Sequence, residues 1–148
     1  MERVLWAIDT YRRLGIEGIT IADTIGMANS RQVGDLTATI FRHHADLPLT
    51  LHLHNTRDMG FAHALAAYDA GMRSFDSALG GIGGCPYAPG ATGNICTEDL
   101  VHMFHHCGID TSADLPALLE LSRELPALLR HGVPGYIVKA GTSERVYA

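Results

Sequence analysis

Three apolar runs short enough to be strands, GITIA (18–22), LTLHLHN (49–55) and RSFDSAL (73–79), are separated by segments whose apolar residues recur at helical spacing. Strand, helix, strand, helix, strand with short connections predicts right-handed βαβ units on a parallel sheet. An amphipathic helix opens the chain, with Val4, Leu5, Ile8, Tyr11 and Leu14 on one side and Gly15 as its stop. Asn29 or Ser30 can cap the next helix, which runs to about His44, and FAHALAAYDAG (61–71) supplies the third. Beyond the strands, a helix is predicted from Thr97, as its cap, to Cys107, and another over 112–130, kinked or divided by Pro126.

The 148 residues, 47% hydrophobic and 18% charged, have the composition of a folded globular chain, so disorder and fibrous structure are excluded. A net charge of −5, with no Lys/Arg cluster beyond Arg12-Arg13, argues against a nucleic-acid partner. No apolar run approaches the roughly 18 residues that span a bilayer, and MERVLWAIDTYRRLG does not read as a signal or transit peptide. Cys85, Cys96 and Cys107 are odd in number and lack a CxxC spacing, so neither a disulfide framework nor a thiolate zinc site is expected. These features together predict a cytoplasmic protein with reduced thiols and no membrane partner.

The polar residues gather where the strands end. Asp23 follows the first strand, His52 and His54 close the second, and the stretch SALGGIGGCPYAPGATGN (77–94) follows the third. Parallel α/β sheets and barrels build their sites on that edge. His52 and His54 are two residues apart, so on a strand both imidazoles leave the same face and can bind one metal ion. Asn94 stands just before a helix, where capping and ligation through its amide oxygen are both open to it. Imidazole nitrogen with neutral or carboxylate oxygen suits Mg²⁺ or Mn²⁺ better than structural zinc. Cys85 sits among glycines, and spacing alone leaves it equally a structural cysteine or a reactive thiol on a functional loop. His102, His105 and His106 in VHMFHHC are read as a solvated helix face.

IADTIGMA, LHLHNTRDMG and DSALGGIGGCPYAPGATGNICTEDLVHM, in that order and spacing, resemble the hydroxymethylglutaryl-CoA lyase family of metal-dependent TIM-barrel lyases. The resemblance covers about residues 1–110 closely and continues weakly to about 141 through HGVPGYIVKAG. It implies a partial (β/α)₈ barrel: the last three parallel strands with their helices, plus C-terminal helices, forming one truncated domain over 1–148. It implies His52, His54 and Asn94 as ligands of Mg²⁺ or Mn²⁺, Cys85 as the catalytic cysteine of a mobile loop, Asp23 as a substrate contact and Glu98 as an acid beside the site. The implied reaction cleaves 3-hydroxy-3-methylglutaryl-CoA, or a close 3-hydroxyacyl-CoA, to acetyl-CoA and a keto acid such as acetoacetate. Cys85 and His52 are the two implied proton donors, unranked.

Two departures stand out. Asp58 occupies a position where relatives usually carry glycine, so an extra carboxylate or a shifted turn is expected there. The family's first barrel half, with an Arg-Asp pair that completes the metal site and stabilises the enolate, has no substitute in this chain. Three parallel strands cannot close a barrel, so the missing N-terminal half or a homo-oligomer is the expected completion. Two other readings compete. One is an inactive fragment that retains part of a metal site. The other is a Claisen-condensing relative of isopropylmalate or homocitrate synthase, which shares the His-x-His strand but lacks the GGCPYAPG loop.

Overall fold

The computed structural model describes residues 1–85, 90 and 93–146, which form two compact units, Met1–Asp76 and Ser77–Ala148. The first unit contains α1 (Glu2–Arg13), β1 (Ile19–Asp23), α2 (Ser30–His43), β2 (Leu49–Leu53), α3 (Gly60–Asp69) and β3 (Ser74–Asp76). The strands form the expected all-parallel sheet in the order β1-β2-β3.

Strand β2 sets the division of labour. Leu49, Leu51 and Leu53 are buried on one face, while Thr50 and His52 lie half-buried on the other. Each buried leucine contributes on the order of 2 kcal/mol. Helix α2 presents Val33, Thr37 and Ile40 inward at helical spacing. A cavity of about 140 Å³ remains here, lined by residues that include Ile21, Val33, Ile40, Leu51 and Met72.

Asn29 is the cap of α2. Its side chain accepts from the Gln32 amide at 2.9 Å while the Gln32 side chain accepts from the Asn29 amide at 3.0 Å, a reciprocal capping box. The parallel register puts Thr20, Thr50 and Ser74 in one row of the sheet and Ala22, His52 and Asp76 two rows on, on the same face.

The second unit holds a 3₁₀ turn (Leu79–Gly81), α4 (Thr97–His106), α5 (Leu115–Leu129) and a short α6 (Ile137–Ala140). Val101, Leu115, Leu119 and Ile137 form its core. One expectation is corrected and another narrowed. Thr97 is the first residue of α4 rather than its cap, because its hydroxyl bonds Ser77 Oγ at 2.8 Å and Cys96 takes the cap position without a side-chain bond. Pro126 lies inside α5 and does not divide it. An exposed proline near the last turns removes one backbone donor, and the capping bond from the Ala117 amide to Asp114 secures the other end. Among the described residues no helix is long and apolar enough to cross a membrane.

Candidate active site

The parity of β2 carries His52 to the face opposite the leucines, and His54 follows just beyond the strand end. Their rings lie with centroids 5.1 Å apart at an interplanar angle of 64°. His54 is 5% exposed, and its backbone amide donates to the Asp23 carbonyl at 3.4 Å, extending the ladder past the last residue of β2. His52 Nδ1 lies 3.0 Å from Asp76 Oδ2, one strand across in the same row. Two imidazoles on one face form a donor set that fits a divalent cation. Among the described residues no group of three or more His, Cys, Asp or Glu could hold a metal ion, so the pair fits as part of a shell.

Asp23 ends β1, and its carboxylate organises the turn that follows. Oδ1 accepts from the Met27 amide at 3.0 Å and Oδ2 from the Ala28 amide at 3.1 Å. Gly26 adopts φ +61° within this turn, where a Cβ would lie 3.0 Å from Thr56 Cβ and 3.2 Å from the His54 carbonyl oxygen; glycine is therefore required. Arg57, from the loop after β2, donates to the Ile25 and Gly26 carbonyls at 3.0 Å each. The DTIGMA turn and the histidine strand are thus fastened together.

Behind Asp23 stands His63 of α3, with no accessible surface. Neither of its ring nitrogens has a hydrogen-bond partner, and Nδ1 is 3.9 Å from Asp23 Oδ2. Burial pushes its pKa down, with the Asp23 charge opposing in part. Asp58 resolves its expectation simply. It adopts φ 57° and accepts from Asn55 Nδ2 at 3.0 Å, so the turn keeps a conformation that favours glycine.

In the second unit, Asn94 is not a helix cap. Its Nδ2 donates to the Ile82 carbonyl at 3.1 Å, which leaves Oδ1 as the atom available to a ligand. The loop is tightly packed around it. A Cβ on Gly83 would approach Asn94 Nδ2 to 2.9 Å, and one on Gly93 would overlap the Gly81 carbonyl oxygen. Cys85 is partly exposed and is the last residue described before 90. The lid expected over 77–94 includes residues 86–89 and 91–92, which lie outside the described residues.

Glu98 is the acid the resemblance placed beside the site, but its side chain is 0% exposed. Its Oε2 accepts from the Gly80 amide at 2.9 Å and its Oε1 accepts from Ser122 Oγ. The carboxylate thus faces inward and holds the start of the glycine loop. Burial and the Glu98 carboxylate push the neighbouring Cys96 thiol up, so Cys96 is an inert core thiol. Asp76, Arg57 and His63 had no motif to mark them. Only the alternation of SFD against LHL could have flagged Asp76, by placing it level with His52.

A parallel α/β sheet with paired imidazoles at its strand ends is the edge of a barrel-type α/β fold. Residues 1–125 match the HMGL-like family model, and the chain belongs to that family. It is 52% identical, over 95% of its length, to the (R)-citramalyl-CoA lyase of Chloroflexus aurantiacus, of which it covers 44%. It is 39% identical, over 78% of its length, to the hydroxymethylglutaryl-CoA lyase of Pseudomonas mevalonii, of which it covers 38%. A solved HMG-CoA lyase from Acinetobacter baumannii, in complex with coenzyme A and 3-methylmalate, superposes with a TM-score of 0.92 at 50% identity. The superposition covers all of this chain and 49% of that one. The chain therefore spans less than half the length of these relatives, and its strands correspond to part of their barrel.

Proposed function

We propose that this chain forms the cation-holding edge and thiol loop of a lyase that splits a tertiary 3-hydroxyacyl-CoA into acetyl-CoA and a keto acid. The observation that carries this reading is the His52–His54 pair at the end of β2 in a chain of the HMGL-like family. His52, His54 and Asn94 Oδ1 would hold Mg²⁺ or Mn²⁺. When bound, such an ion supplies a Lewis acid that eases loss of the substrate hydroxyl proton and stabilises developing negative charge.

In the reaction, the hydroxyl proton passes to a base of the completed site, and the deprotonated oxygen becomes the keto carbonyl as the Cα–Cβ bond breaks. The electron pair of that bond passes to the thioester as its enolate, which takes a proton on carbon to give acetyl-CoA. Cys85 is the donor this chain offers for that proton while His52 holds the cation; His52 is the donor only where it does not ligate. Asp23 is the substrate contact. Glu98 acts from within by holding the Gly80 amide at the root of the loop. The other barrel half, from the same protein or from another chain, completes the machinery.

The higher identity to the citramalyl-CoA lyase, 52% against 39% for the hydroxymethylglutaryl enzyme, favours the citramalyl thioester as substrate, with pyruvate as the keto product. The 3-methylmalate in the similar solved structure, a five-carbon hydroxy diacid, fits the same preference. Titration with Mn²⁺ tests the site: binding is expected, with loss in His52→Ala and His54→Ala. No binding at millimolar Mn²⁺ would sink the reading. Citramalyl-CoA is expected to tighten Mn²⁺ binding more than hydroxymethylglutaryl-CoA does, because ligands that share a site are thermodynamically linked.

A further inference from the structure

Row pairing across the sheet places Asp76 of β3 level with His52 of β2, with Oδ2 and Nδ1 3.0 Å apart. Two rows back on the same face, Thr50 and Ser74 share a 3.0 Å hydroxyl bond, so this face of β2–β3 is a ladder of side-chain hydrogen bonds. A neutral imidazole carries one N–H and one bare nitrogen, and a carboxylate can only accept. A bond at 3.0 Å to Asp76 therefore puts the proton on Nδ1 and leaves Nε2 bare.

We infer that Asp76 is a positioning residue, which fixes the tautomer and ring orientation of His52 so that Nε2 is its only available nitrogen. The inference rests on the reading of His52 as a cation ligand. It also separates the two roles open to this residue, since one bare nitrogen cannot both ligate a cation and deliver a proton. A carboxylate behind a ligating histidine raises the ligand's basicity and removes the cost of orienting it, and loss of such a partner typically weakens metal affinity about 10–100-fold.

The test compares the full chain with its Asp76→Asn and Asp76→Ala variants. The measurements are the ¹⁵N chemical shifts and couplings of the His52 ring without metal, near pH 8, and Mn²⁺ affinity by titration. The parent is expected to show the Nδ1–H tautomer. Both variants should lose that preference, because an asparagine amide can turn and donate to Nδ1, and alanine offers nothing. Mn²⁺ affinity should fall about 10–100-fold in both, with unchanged far-UV circular dichroism. An Nε2–H tautomer in the parent, or the same tautomer and Mn²⁺ affinity in all three proteins, overturns the inference. A parent that binds no Mn²⁺ overturns the cation reading instead, and the ring tautomer still decides whether Asp76 orients His52.

Discussion

Replacing His63 with leucine removes a buried imidazole whose two nitrogens have no hydrogen-bond partner. The side chain has no accessible surface, and the nearest charge, Asp23 Oδ2, is 3.9 Å from Nδ1. An unsatisfied buried polar group costs roughly 1–3 kcal/mol, whereas an apolar group of similar size costs little at the same place. His63→Leu should therefore be neutral or stabilising, by about 1 kcal/mol, above neutral pH. The stronger signature is the dependence on pH. Burial lowers the folded-state pKa of His63 below the ordinary value of 6.5, so below that pH the unfolded chain binds the extra proton. Its contribution is thus complete above pH 6.5 and lost as the pH falls towards the folded-state value, at a slope of at most about 1.4 kcal/mol per pH unit. His102 is also lowered, by burial and by His106, so the difference between the parent and His63→Leu isolates the His63 part. Urea unfolding followed by far-UV circular dichroism, from about pH 8 down to about pH 5, measures it. A difference that stays constant over that range refutes the reasoning, as does a loss of more than about 2 kcal/mol at pH 8, which would mean the imidazole has partners.

Asp58→Gly should stabilise the chain by up to about 1 kcal/mol, since φ 57° suits glycine, offset in part by loss of the Asn55 bond; thermal unfolding reads the sign. Gly93→Ala should cost more than about 3 kcal/mol, because the added methyl overlaps the Gly81 carbonyl and lies 2.8 Å from that of Gly83. The same variant should alkylate faster at Cys85, as the loop that carries the thiol loses its packing. Glu98→Gln leaves the Gly80 amide and Ser122 hydroxyl with a weaker acceptor, and a loss of about 2–3 kcal/mol in urea unfolding is expected; no loss would show that the buried carboxylate holds nothing.

The fold was legible where periodicity speaks for itself. Alternation in LTLHL forces the leucines to one side and His52 to the other, and the helical stripe of Val33, Thr37 and Ile40 needs a sheet to cover it. What stayed hidden depended on register or on a distant partner. Thr97 looks like a helix cap from its neighbours alone, but Ser77, twenty residues earlier, claims its hydroxyl. Glu98 looks like a surface acid at a helix start until Gly80 and Ser122 converge on it from either side in sequence. Asn94 looks like a helix cap from its place before α4, but Cys96 takes that position and Nδ2 of Asn94 turns to the Ile82 carbonyl instead. Asp76 had none, because its meaning lies in standing level with a residue on another strand.

The geometry at Asp23 limits what a substrate could offer it. Two backbone amides already point at its carboxylate, one on each oxygen, so the group is held before any ligand arrives. An ionised carboxylate accepts hydrogen bonds and donates none, so a third partner on Asp23 must be a donor. The acyl units of citramalyl-CoA and hydroxymethylglutaryl-CoA each carry a carboxylate, a thioester and a tertiary hydroxyl, and only the hydroxyl donates. If Asp23 touches the acyl unit, it does so at the atom whose proton must leave for the carbon–carbon bond to break. The substrate's own carboxylate, the feature in which the two thioesters differ by one methylene, must then be recognised by cationic or neutral donors elsewhere. Discrimination between the two thioesters should accordingly survive an Asp23→Asn substitution that abolishes turnover, and binding competition between them is the measurement that would show otherwise.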